Sequence, residues 1–325
     1  MASGNAPNQK KNKQKDVKEA FYLDGNLFIG RLNSSIPSAI TSTQIASGQP
    51  TNTTTHYLRQ PFRVGFNGSL GVILNKDIEI VGTYFRAVNK YLLLVTTNPS
   101  SIEVNRIEPL ITADPRTISL IDGYVATHLH DRFQIVNVVI KSRWFAYGNQ
   151  VFVMPFIGAR GILIDRDLKQ VGSGTTSTET AYNASRNIKE KARTIGIIGG
   201  TDLNFYLNPY LFFYGSAAIG ATAGKIKVSD QRIIGSEVLL HTTKRSEDFR
   251  KFFDGQFGLA LNFDLGRTVN VLMRVGVNLF FFESSVFNST IPNFGDFTDS
   301  DVNATVTQTV VNTYQALVIG GRITF

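Results

Sequence analysis

The feature that most constrains this chain is a two-residue rhythm of apolar side chains. It is sustained over segments longer than an ordinary soluble strand. Between 253 and 265, Phe253, Phe257, Leu259, Leu261 and Phe263 share one face with Gly255 and Leu265, while Asp254, Gln256, Asn262 and Asp264 share the other with Gly258 and Ala260. From 269 to 281, Val269, Val271, Met273, Val275, Val277, Leu279 and Phe281 alternate with Asn270, Leu272, Arg274, Gly276, Asn278 and Phe280. Side chains alternate across a strand, so each segment carries one greasy face and one polar or small face. Soluble strands run to about 5–6 residues, whereas a tilted strand crossing a bilayer needs about 9–11. The same rhythm recurs at 62–74, 151–163, 193–205, 211–221 and 313–325, and less regularly at 21–31, 77–87 and 131–143.

No stretch approaches the roughly 18–20 consecutive apolar residues that a spanning helix requires. Mean hydropathy is −0.02, as expected where lipid-facing and lumen-facing residues average out. The 325 residues include no Cys, which excludes disulfide scaffolds, thiol catalysis and Cys-type zinc sites. The net charge of +8 is spread thinly except at Lys10, Lys11, Lys13, Lys15 and Lys18. That cluster lies in a polar segment, 1–19, expected to be a disordered tail rather than a nucleic-acid arm. The segment lacks the apolar core of a signal peptide, and the chain reads as a mature, exported sequence behind a start Met.

Asn75-Lys76-Asp77, Gly148-Asn149, Asn208-Pro209 and Gly266-Arg267 mark short turns. Long polar stretches at 33–60, 89–117, 166–190, 228–249 and 284–311 fall between them. Short turns on one side and long loops on the other suit an antiparallel transmembrane β-barrel, here over 20–325, with about ten strands (alternatively twelve) and both termini on the periplasmic, short-turn side. Trp144, Phe145 and Tyr147, and Phe205, Tyr206 and Tyr210, flank two of the turns, as interfacial girdles do.

The alternation places Arg63, Glu79, Lys141, Arg160, Asp202, Asp254, Asp264, Arg274 and Arg322 on inward faces. Intramembrane charges pair or line water. Distance from the short turns puts Arg63 and Arg160 toward the loop rim, Arg274 at mid-depth, and Arg322 and Asp264 low. The signs are mixed and form no single ring, so the lumen is expected to be either crosslinked and nearly filled or a narrow, unselective pore. His128 and His130 sit at i, i+2 beside Asp131, which leaves a rim enzyme as a third possibility. The spacing of Asp296, Asp299 and Asp301 does not match a calcium loop. No metal, cofactor or catalytic residue is assigned.

Three motifs carry a family resemblance: Phe62-Arg63-Val64-Gly65, Pro155-Phe156-Ile157-Gly158-Ala159-Arg160-Gly161 with Ile164-Asp165 after it, and Gly320-Gly321-Arg322-Ile323-Thr324-Phe325. With them the chain resembles the Legionella-type pore-forming outer-membrane proteins, which are similar to major outer membrane proteins. The resemblance implies a porin-like pore in a bacterial outer membrane, passing small polar solutes or ions. The alternative is a structural or surface-interaction barrel with a closed lumen. Expected partners are outer-membrane lipid, further copies of the chain in a homo-oligomer, and the barrel-assembly machinery, for which Phe325 after alternating apolar residues looks like the assembly signal. Nucleic acid is not expected.

Overall fold

The computed structural model describes residues 20–33, 39–46, 49–57, 62–74, 78–97, 102–108, 120–142, 145–148, 150–176, 181–265, 269–289 and 304–325. The expected tail at 1–19, Trp144 and the 296–301 aspartates lie outside them. The described residues form strands β1 (Ala20–Asn33), β2 (Ala39–Ala46), β3 (Gln49–Tyr57), β4 (Arg63–Ile73), β5 (Ile78–Thr97), β6 (Ile102–Glu108), β7 (Leu120–Ser142), β8 (Phe145–Tyr147), β9 (Val151–Thr176), β10 (Ala181–Tyr206), β11 (Leu211–Ile234), β12 (Glu237–Leu265), β13 (Val269–Ser289) and β14 (Ala304–Thr324).

Ten of these close into an antiparallel barrel in the order β1-β4-β5-β7-β9-β10-β11-β12-β13-β14, and β14 pairs back onto β1. The seam runs from Tyr22↔Thr324 through Leu27↔Ile319 to Asn33↔Thr313. The Phe325 N–H donates to the Phe21 carbonyl at 2.9 Å. Closure satisfies every wall strand on both edges, as hydrocarbon demands of backbone N–H and C=O groups. The remaining strands are additions. β3, β2 and β6 form a small annex reaching β7 at Val104↔Leu120, and β8 covers the start of β9.

Of the expected short turns, 75–77, Asn149 and 266–267 lie outside the described residues, but the strands flanking each of the four pair as antiparallel hairpins. The Leu74 N–H donates to the Ile78 carbonyl across one of them. In another, the Asn208 side-chain oxygen accepts from the N–H groups of Tyr210 and Leu211, at 2.9 and 2.8 Å. Gly148 takes φ +69°, which suits glycine at a reversal.

Much of the long polar stretches is strand, not loop. The β9–β10 ladder continues to Thr175↔Ala181. The β11–β12 ladder continues to Ile234↔Glu237, turning on Gly235 at φ +60°. The reason is a change of pattern rather than its loss. Beyond about residue 190 in β10, the outward face carries Lys189 and Lys191 while Arg186 and Glu190 are buried inward. Period two persists there, but both faces are polar, so hydropathy hides it.

The outward face carries a belt of exposed aliphatics, including Val138, Ile140, Ile195, Ile197, Ile219, Val275, Leu317 and Ile319; Ile197 is 71% exposed. Tyr147, Leu207 and Tyr210 stand exposed at its short-turn margin. A continuous apolar girdle of this kind is stable against lipid and not against water.

Candidate functional site

The site is the lumen, and it is layered. Nearest the short turns lies a chamber of about 250 Å³, with walls of mixed polar and apolar side chains and an aromatic roof. Alternation on β1 aims Tyr22, Asp24, Asn26 and Phe28 inward, opposite Phe21, Leu23, Leu27 and Ile29 on the exposed outer side. Arg274 on β13 binds the Asp24 carboxylate and donates to the Asn26 side-chain oxygen at 2.7 Å. Arg322 reaches the same Asp24 at 3.3 Å and stacks 4.0 Å over the Tyr22 ring. The Tyr22 hydroxyl donates to Glu79. Across the chamber, Lys141 pairs with Asp202 at 2.7 Å, and Ser216 donates to the other Asp202 oxygen at 2.8 Å. Arg160 joins Asn137 at 2.8 Å to Asp254 at 2.9 Å, and Asn278 donates to the second Asp254 oxygen at 3.1 Å.

Seven of the nine sequence-predicted inward charges therefore meet in or beside this chamber: Glu79, Lys141, Arg160, Asp202, Asp254, Arg274 and Arg322. Two do not. Arg63 keeps the inward parity, but it begins β4, is exposed, and donates to the Lys90 carbonyl at 2.7 Å. Asp264 is exposed at the short-turn end, where Asn270 donates to it at 2.9 Å. At a strand terminus no opposite wall encloses the inward side chain. Arg160 sits deeper than expected, because β9 runs on to Thr176 instead of ending near 165. Asp24 and Asn26, the counter-groups of Arg274, were legible in the alternation at 21–31 but were not singled out.

Above the chamber lies an aromatic layer. Phe28, Phe85, Phe133, Phe280, Phe282 and Tyr314 are all buried. Phe85 meets Phe28 at 5.2 Å and Tyr314 at 5.6 Å. Phe133 of β7 stacks on Phe282 of β13 with centroids 5.1 Å apart and planes 13° off parallel. β7 is the fourth wall strand from β1 and β13 the ninth, so this pair spans the barrel from one side to the other. The Arg160 guanidinium lies 4.4 Å from the Phe252 ring centroid, under the same layer. Such ring pairs contribute about 0.5–1.5 kcal/mol each beyond area burial.

Toward the long-hairpin end, charges fill the lumen again. Arg166 binds Asp131 at 2.8 Å and Glu190 at 3.1 Å, Arg250 approaches Glu190 at 3.5 Å, and Arg186 binds Asp230 at 2.6 Å. Arg250 has no exposed surface. Removing one partner from a buried pair costs about 3–5 kcal/mol, so this network is a rigid plug. Except for Asp131 and Arg250, its members fall in stretches read as loop from the sequence. His128 is exposed on the outward face of β7 while Asp131 is buried inward, so the strand's pleat separates them. Among the described residues no cluster of three or more metal-ligand side chains occurs.

No protein-family model and no curated protein matches the sequence. Among solved structures, the chain is similar to the outer membrane protease OmpT of Escherichia coli, at 11% identity and a TM-score of 0.44, over 96% of this chain and 99% of that one. It is also similar to the Pseudomonas putida toluene transporter TodX, at 9% identity and a TM-score of 0.33, over 94% and 89%. A Pseudomonas aeruginosa FadL homologue aligns at 7% identity and a TM-score of 0.23, over 95% and 90%.

Proposed function

We propose that the chain is an integral barrel of a bacterial outer membrane whose lumen is closed by its own side chains, and that it acts through the surface of its long-hairpin end. The aromatic stack between Phe133 and Phe282 carries this reading, because the two rings meet across the full width of the barrel. A ten-stranded wall is little wider than the eight-stranded kind that side chains can fill. The exposed apolar belt supports membrane insertion. The outer-membrane assignment and the narrower Legionella-type likeness are part of the proposal, the latter resting on the three short motifs alone. Phe325, exposed beside the seam, is where a strand-adding assembly machinery would engage the chain.

A gated pore for small polar solutes or ions is the second reading, favoured by the chamber beneath the stack and the charged side chains that line it. Planar-bilayer recording separates the two. The wild-type protein is expected to show no conductance above background. Steady wild-type conductance would overturn the closed-lumen reading and restore the porin.

A further inference from the structure

Where the apolar belt ends toward the long hairpins, the outward face of three adjacent strands becomes strongly basic. On β10 the outward positions after Ile195 are Arg193, Lys191 and Lys189; on β11, after Ala223, they are Lys225 and Lys227; on β12 Arg245 follows Glu247 and Phe249. All six cations are exposed. Register places them opposite one another: Arg193 faces Lys225, Lys191 faces Lys227, and Lys227 faces Arg245. Among the described residues none of the six side chains makes an ion pair or a side-chain hydrogen bond. Acidic side chains flank the patch in register, Asp165 and Asp167 on β9 opposite Lys191 and Lys189 and Glu247 on β12 opposite Lys225, whereas Lys191, Arg193, Lys225 and Lys227 face one another across β10 and β11.

Directly opposed residues have Cβ atoms about 4.5–5.5 Å apart, and like charges in that relation are destabilising. The inward face between them is different in kind: Glu190, Ala192, Thr194 and Ile226 are buried. The repulsion is therefore confined to the outer surface, in one band, at the depth where hydrocarbon gives way to headgroups. A band of opposed cations is stable when an external polyanion lies across it, and at this depth the anion available is a lipid phosphate.

We propose that Lys191, Arg193, Lys225 and Lys227 form a binding site for the phosphate groups of a phosphorylated glycolipid in the leaflet on the long-hairpin side. The proposal rests on the outer-membrane reading above, which supplies that leaflet. Two phosphates on one headgroup suit two adjacent cation pairs, each bridging β10 and β11. The acyl chains then lie along Ile195, Ile197, Ile219 and Ala223 just below.

The test uses the refolded full chain in zwitterionic detergent. Binding of diphosphorylated lipid A, phosphatidylcholine and inorganic phosphate is measured by native mass spectrometry, and thermal unfolding is followed in parallel. The wild type is expected to bind lipid A, to ignore phosphatidylcholine, and to keep lipid A when millimolar phosphate is added. Lys191→Gln, Arg193→Gln, Lys225→Gln, Lys227→Gln together should weaken lipid A binding at least tenfold. In detergent without lipid A the same variant should melt no lower than the wild type, because repulsion has been removed. Lipid A should raise the wild-type midpoint and not the variant's. Equal lipid A binding by the variant, or its displacement by free phosphate, would overturn the proposal. Should the quadruple variant not refold, Lys191→Gln, Arg193→Gln and a salt titration of the wild type carry the same readout, and salt-insensitive binding would overturn it. Failure of the wild type to give a heat-modifiable folded band would instead refute the outer-membrane reading.

Discussion

Gly71 is what lets Tyr22 reach Glu79. Tyr22 on β1 stands opposite Gly71 on β4, and Glu79 lies one strand further on, in β5. A Cβ on Gly71 would sit 2.0 Å from the Tyr22 ring, so the missing side chain is the slot through which the ring crosses β4. Gly71→Ala is expected to cost about 1–3 kcal/mol through overpacking, read by urea unfolding of the refolded protein in micelles. Gly82→Ala should be near neutral, because nothing lies within 4 Å of its would-be Cβ; equal losses at both sites would contradict the slot. Parity alone identified Glu79 as inward. Its partner was not legible, since which tyrosine crosses which glycine depends on register across three strands.

At the scale of the element, the outward face of β13 decides whether the belt meets lipid. Val275 is 46% exposed amid Met273 and Val277. Val275→Arg should cost roughly 2–4 kcal/mol if that position lies near the bilayer midplane. Folding titrations in lipid vesicles measure it, and a loss no greater than that of the exposed Lys251→Arg would argue against a lipid-facing belt. The sequence made such strands plain wherever one face was apolar and the other polar, as in β12 from 253 onward. It concealed the upper halves of β9 to β12. There the outward positions turn charged, while the inward ones are paired, Arg166 and Arg250 with Glu190 and Arg186 with Asp230. A polar face against a polar face reads as loop, although the ladder continues unbroken.

At the scale of the whole molecule, the wall has no free edge. Ile29 pairs with Leu317 on one side and Val64 on the other. Proline there would remove a ladder donor in mid-sheet, a position it essentially never occupies. Ile29→Pro is expected to abolish the compact, fast-migrating form on unboiled gels; persistence of that form would mean the seam is open. The ten-strand architecture was legible because alternation and turn chemistry agree along most of the chain. Occlusion was not, because inward phenylalanines such as Phe133 and Phe282 come from distant segments and reveal nothing until opposite walls are brought together.

That meeting also has an order in time. The β1–β14 seam joins opposite ends of the chain, and Phe133 on β7 receives Phe282 only after every hairpin between them exists. Pairings of such long sequence separation are slow, since loop-closure entropy must be spent before the contacts return it. Until the ends meet, the sheet is an open ribbon with two unpaired margins and an exposed row of phenylalanines. Burial of the interior and sealing of the circumference are therefore one late, cooperative event, and the vulnerable stage in the life of this molecule is the interval just before it.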